Sequence, residues 1–249
     1  MIFRSPYPEV TIPETPLTPF VLARAQALGA KPALVDGLSG RAISYAEFDA
    51  SVQRVAAGLA ARGFGKGDVF AIISPNALEY ALAFHGATHA GGVVTTINPL
   101  YTADEVAHQL ADAGAKFLLT APACLEKATA AARAANVREL FVIGAAQAGA
   151  QTFAALLEYD GRAPFVEIEP RTDLAVLPYS SGTTGVPKGV MLTHYNLVAN
   201  LCQIAGTDQF NGDDTLICVL PLFHIYGMQV IMNAGLRAGA TIVMLPRFD

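Results

Sequence analysis

The chain has 249 residues, 53% of them hydrophobic and only 15% charged, with a formal net charge of −5. That balance excludes a disordered chain and a protein that coats nucleic acid, which need low hydrophobicity or a basic surface. The length suits one large α/β unit or two small ones.

The first twenty residues, MIFRSPYPEVTIPETPLTPF, carry acids and prolines where a signal peptide would have an apolar core. No uninterrupted apolar run approaches the ~18 residues of a membrane span. From Thr18-Pro19 a helix is expected to about Gly29, with proline in its first turn. Ala33–Val35 and Ala42–Ile43 flank Asp36-Gly37-Leu38-Ser39-Gly40 and predict a hairpin. Ser44 with Glu47 forms a capping box that opens a helix closing at Gly63. A strand over Asp68–Ser74, a mostly buried helix from Asn76 to about Ala90 and a strand over Gly92–Ile97 follow. Thr102 with Glu105 makes a second capping box, for a helix to Gly114. Lys116–Thr120, a helix near Pro122–Asn136, and Glu139–Ile143 continue the alternation. The stretch from Gly144 to Pro170 has one short helix (Thr152–Tyr159) and the acids Glu158, Asp160, Glu167 and Glu169, read as a solvated face on a segment that bridges two sheets. Strands at Leu174–Leu177 and Val190–Leu192, a helix from Thr193 to about Gly206, a strand at Leu216–Leu220, a helix to about Arg237 and a strand at Thr241–Leu245 complete the pattern. Repeated βα units with strands this apolar imply an α/β fold of mainly parallel sheets covered by helices on both faces.

The stretch from Tyr179 to His194 reads YSSGTTGVPKGVMLTH. A loop rich in glycine and hydroxyls between two strands turns backbone N–H groups inward around an anion, the hydroxyls add donors, and Lys188 adds a point charge. This is the chemistry of holding a nucleotide polyphosphate, with Ser180, Ser181, Gly182, Thr183, Thr184, Gly185 and Lys188 as the ATP-binding set. A Walker A loop is excluded, because only two residues separate Gly182 from Gly185 and Gly189 follows Lys188 in place of Ser or Thr.

These residues resemble the AMP-binding signature of the adenylate-forming enzymes, the group of acyl- and aryl-CoA ligases, firefly luciferase and the adenylation domains of peptide synthetases. INPLYTADE (Ile97–Glu105) resembles an upstream motif of that family, and LPLFHIYGM (Leu220–Met228) resembles the element that lines its acyl pocket. Order and spacing agree over essentially the whole chain. LPYSSGTTGVPKGVMLTH and FHIYGM most resemble 4-coumarate–CoA ligases and their bacterial relatives.

The resemblance implies the N-terminal portion of the large AMP-binding domain over 1–249, with a sub-boundary near 170. It implies an ATP-dependent acid–thiol ligase that joins a hydroxycinnamate-type acid to AMP and then to CoA, with ATP, Mg2+ and CoA taking part. By the family pattern His224, Ile225, Tyr226 and Gln229 line the acid pocket, Thr183 contacts the magnesium ion, and Arg247 lies near the CoA phosphates. The pattern stops on a bare strand at Pro246-Arg247-Phe248-Asp249. By resemblance the C-terminal half, with the ribose-binding aspartate, the magnesium-binding glutamate and the catalytic lid lysine, is expected to lie outside this chain, and the chain alone to be inactive. A mean hydropathy of +0.39 fits a core left partly uncovered. Two other readings stay open: a fatty-acyl-CoA or fatty-acyl-AMP ligase, and a stand-alone nucleotide-binding scaffold.

The remaining candidates read as structural. His85 and His89 lie one helical turn apart, but Gly86 stands where a zinc protease has glutamate. His108 and His194 read as unpartnered, and Gly63 to Gly67 precedes a strand, so it is a helix stop. No G-x-S-x-G elbow is present, against a serine hydrolase. Cys124, Cys202 and Cys218 read as free thiols of a reducing cytoplasm.

Overall fold

Strands β3 (Val69–Ile73) and β4 (Val93–Ile97) are buried along their whole length. This follows from apolar strands lying in parallel with both faces covered. The computed structural model describes residues 5–159, 162–180 and 187–246. Around β3 and β4 a large sheet is ordered β10-β8-β4-β3-β5-β6-β7, where β5 is Ala115–Thr120, β6 Glu139–Val142, β7 Gln151–Thr152, β8 Leu174–Ser180 and β10 Leu192–Thr193. All neighbours from β8 to β7 run parallel, and only β10, with the short β9 (Lys188–Gly189), returns antiparallel along β8. A smaller sheet is ordered β11-β12-β1-β2, from Thr215–Cys218, Thr241–Met244, Pro32–Asp36 and Ala42–Ser44. The β1–β2 hairpin is antiparallel, as its turn predicts.

The period-two alternation of β3 sorts its side chains between two cores. Phe70 and Ile72 face the core shared with the small sheet, whereas Val69, Ala71 and Ile73 face α5 (Ala103–Asp112) and α6 (Leu125–Ala134). Between the sheets lie α3 (Tyr45–Ala61) and α4 (Leu78–His89), and α4 is buried almost all round. A helix without a polar face has no other stable place than between two layers. The close contact of α4 with α3 depends on Gly86, because a Cβ there would lie 2.3 Å from Val55 Cγ1. That packing explains why glycine follows His85. The capping boxes at Ser44/Glu47 and Thr102/Glu105 form as predicted, and α8 (His194–Ala205) has a third, from Thr193 and Asn196.

The helix expected from Thr18 to Gly29 is two short ones, α1 (Leu17–Val21) and α2 (Ala25–Leu28). In the turn between them Arg24 donates to Ala238 O, 3.1 Å away, a tertiary bond that outweighs helical propensity. The helix near Pro122 begins as a 3-10 turn, Pro122–Cys124, before α6. The segment after Gly144 does not bridge the two sheets. It runs from the β7 edge through α7 (Ala154–Leu157) to β8 of the same large sheet, with Glu158, Glu167 and Glu169 exposed.

His194 is not unpartnered. The helix α1 has no side-chain cap, and the orphan N–H of Leu17 donates to His194 Nδ1 at 3.1 Å. His85, also fully buried, sits with its Nδ1 3.1 Å from Thr18 Oγ1 and with Phe48 and Phe84 edge-on to its ring. Burial pushes His194 down to about 4 and His85 down to about 3, and lowers His89 as well.

Two predictions follow from this packing. Gly86→Ala should cost about 1–3 kcal/mol in urea unfolding through overpacking, and Val55→Ala in the same chain should recover part of it. The second concerns acid. The folded-state pKa of each buried histidine lies below its unfolded value near 6.5, so the unfolded state takes up the proton first. Stability should therefore be full above pH 6.5 and decline as the pH falls towards 4.5, by up to about 1.4 kcal/mol per pH unit for each histidine. His194→Gln keeps an acceptor for Leu17 and should flatten that slope in urea titrations.

Candidate active site

The return of β9 and β10 along β8 makes one hairpin. Leu192 pairs with Val176, Gly189 with Tyr179, and Lys188 with Ser180. The predicted strand at Val190–Leu192 is thus interrupted, with Val190 N–H still donating to Pro178 O at 2.8 Å. Ser180 and Lys188 are both exposed and form the last described pair before the connecting segment. Ser181, Gly182, Thr183, Thr184 and Gly185 lie outside the described residues, as does Arg247. Gly189 lets the Tyr179 ring lie across β9, since a Cβ would meet Tyr179 Cζ at 3.2 Å. The Tyr179 hydroxyl donates to Asp112 at the end of α5. Burial first, and then the Asp112 carboxylate, raise the phenol above the usual tyrosine range.

The second wall comes from the turn after β11. Asn76, buried at the end of β3, donates to Cys218 O (3.1 Å), Leu220 O (3.0 Å) and Leu245 O (3.2 Å), and accepts from Leu222 N–H at 2.8 Å. Thr96 Oγ1 donates to Phe223 O at 2.8 Å, and Thr95 Oγ1 donates to Leu177 O at 2.9 Å. Gln109 Nε2 reaches both Thr95 Oγ1 (3.0 Å) and Thr96 O (3.1 Å). These four residues escape a reading based on loops and motifs. The signal that could find them is polarity in the wrong place: Thr-Thr inside an otherwise apolar strand, and Asn where a buried strand turns into a buried helix.

After the turn the helix is a π-helix over Tyr226–Asn233, followed by α9 (Ala234–Ala238). Gly227 is obligatory at its start, because a Cβ would fall 2.3 Å from Pro221 O. Gln229 is buried in it, and its Nε2 donates to Leu197 O of α8 at 2.7 Å while its Oε1 accepts from Asn233 at 3.0 Å. Gln229 is committed to the core and Tyr226 is half-exposed, and neither lines the cleft described next.

A cleft of about 670 Å³ joins the two walls, within the range of small-molecule sites. Ser180, Tyr179 and Val190 of the hairpin face Phe223, His224 and Ile225 of the turn, with Asn98 and Tyr101 after β4 and Gln109 of α5. Of the residues singled out in the sequence, Ser180, His224 and Ile225 meet here. A smaller cavity of about 230 Å³ beside Arg24 and Arg237 contains none of them. Among the described residues no group of three His, Cys, Asp or Glu side chains is placed to hold a metal, and no helix is long and apolar enough to cross a membrane.

Residues 21–249 match the profile of the AMP-binding enzyme family. Along its whole length the chain is 41% identical to 4-coumarate–CoA ligase 5 of Oryza sativa subsp. japonica and 38% identical to 4-coumarate–CoA ligase of Pinus taeda. It covers 46% and 47% of those proteins, so it spans about half the length of the curated relatives it matches. Among solved structures, the long-chain-fatty-acid–CoA ligase of Archaeoglobus fulgidus superposes with a TM-score of 0.89 at 26% identity, over 99% of this chain and 50% of the other. ATP-bound MatB of Rhodopseudomonas palustris superposes with a TM-score of 0.78 at 32% identity, over 94% of this chain and 46% of the other. The fold, the order of the motifs and the profile agree that this chain belongs to the AMP-binding enzyme family.

Proposed function

We propose that this chain provides the polyphosphate-gripping and acid-binding walls of an ATP-dependent carboxylate–CoA ligase acting on hydroxycinnamate-type acids. The observation that carries the reading is the meeting of Ser180 with His224 and Ile225 on one cleft, from motifs far apart in sequence. In the first step a carboxylate oxygen bonds to the α-phosphorus of ATP while the bond from that phosphorus to the bridging oxygen breaks, releasing pyrophosphate. In the second the CoA thiol displaces AMP from the acyl carbon.

Charge must be drawn towards the leaving phosphates as that first bond breaks. The Lys188 ammonium, on an exposed strand end beside Ser180, suits this role, with the Ser180, Ser181, Thr183 and Thr184 hydroxyls and the amides of Gly182 to Gly185 completing the grip. His224, exposed on the cleft lining, would meet the acid carboxylate, while Ile225, Phe223 and Val190 offer apolar contact for its body. Mg2+ would accompany the triphosphate, with Thr183 as its contact in this chain, and Arg247 would face the CoA phosphates. Both residues lie outside the described residues. By resemblance the catalytic lysine belongs to the part of the relatives that this chain does not span. The three cysteines are free, which suits the cytoplasm proposed for it.

The similarity to the Archaeoglobus long-chain-fatty-acid–CoA ligase supports a second reading, a fatty acid in place of the cinnamate. Thioester formation with CoA, assayed on the full-length polypeptide with cinnamates against medium-chain fatty acids, separates the two. Turnover of the fatty acids alone would remove the cinnamate reading. In the same polypeptide Lys188→Ala should slow acid-dependent ATP–pyrophosphate exchange by about 100- to 1,000-fold. Unchanged exchange would take Lys188 out of the reaction.

A further inference from the structure

Helix α5 holds strand β8 at two alternate residues. Gln109 reaches it through Thr95, whose hydroxyl donates to Leu177 O, and Asp112 accepts directly from the Tyr179 hydroxyl. Gln109 and Asp112 are three apart on a helix and share one face. The second contact falls one residue before Ser180, the end of β8. The Tyr179 ring is also pressed across Gly189, one residue after Lys188. One side chain therefore touches both arms of the hairpin next to their closing pair. Its phenol is drawn out of water and bonded to a charged acceptor, the strong class of hydrogen bond. Packing alone does not require the hydroxyl, since phenylalanine would fill the same space.

We propose that Tyr179 and Asp112 form a positioning pair for nucleotide binding, fixing the level at which the hairpin presents Ser180 and Lys188 to the triphosphate. The pair rests on the ligase reading above and acts through Ser180 and Lys188. β8 keeps its ladder to β4 without it, through Val176, Leu177 and Pro178. Loss of the bond therefore loosens the strand end and leaves the sheet intact.

The test is steady-state ATP–pyrophosphate exchange by the full-length polypeptide, with KM for ATP and for the acid measured separately. Tyr179→Phe should raise KM for ATP about tenfold, the scale of one hydrogen bond to a charged group, with KM for the acid and the melting temperature near wild type. Asp112→Ala should match it. Asp112→Asn, which retains an acceptor oxygen, should recover most of the loss, and the double variant Tyr179→Phe with Asp112→Ala should be no worse than either single one. An unchanged KM for ATP in Tyr179→Phe overturns the pair. So does an equal rise in both KM values with a fall in melting temperature, which marks ordinary destabilisation. Absence of exchange by the wild type with every acid tried would remove the ligase reading and this role together, whereas an active wild type with insensitive variants removes the pair alone.

Discussion

A hydroxyl in a strand buried on both faces must find a backbone partner or leave a polar group unsatisfied in the core. β4 carries two such hydroxyls in succession, and because successive side chains point to opposite faces they bind in opposite directions. Thr95 bonds Leu177 in the neighbouring strand β8, and Thr96 bonds Phe223 in the turn after β11. The strand thus fastens the hairpin to one side and the FHIY turn to the other. Were both residues valine, the two walls of the cleft would share no polar link through β4. Gln109 then locks the arrangement from α5 by bonding the Thr95 hydroxyl and the Thr96 carbonyl together.

The cleft's location follows from the direction of the strands. In an open parallel sheet the loops at the carboxyl ends gather along one edge, and ligands bind there. Asn98 follows β4, Ser180 ends β8, and Asn76 follows β3, so all three stand at that edge. Asn76 has the further task of joining the sheets, since its amide bonds carbonyls that follow both β11 and β12 of the small sheet. The site is therefore placed by strands fixed at one end by hydrogen bonds between sheets, and only its upper surface is left to loops.

The sequence makes the periodic parts plain. Ser44/Glu47 and Thr102/Glu105 announce their helices because a capping box is a local bond, complete within four residues. Strands β3 to β6 and β8 are legible because burial on both faces leaves continuous apolar runs. The family motifs point to Ser180, His224 and Ile225, which meet on the cleft. Features decided by distant partners are not legible. His194 looks solitary because its partner is the N–H of Leu17, far back in the chain. The break between α1 and α2 depends on Arg24 reaching Ala238, and the course of the segment after Gly144 depends on β8 entering the sheet beside β4. No window of neighbouring residues contains those facts.

The helix after the FHIY turn is the clearest case of a family pattern outweighed by tertiary bonds. By the family pattern Gln229, in the helix after His224, belongs with His224 on the cleft side. Gln229 swings into the core, where Leu197 O and Asn233 take its two amide atoms, and Tyr226 remains half-exposed. Both ends of Gln229 are bonded, and Asn233 Oδ1 is left without a hydrogen-bond partner among the described residues. Gln229 ties the helix after the FHIY turn to α8, which begins directly after the hairpin. Hairpin and turn are thus joined twice, through β4 at the floor of the cleft and through α8 behind it. A displacement of one wall cannot proceed without breaking bonds to the other.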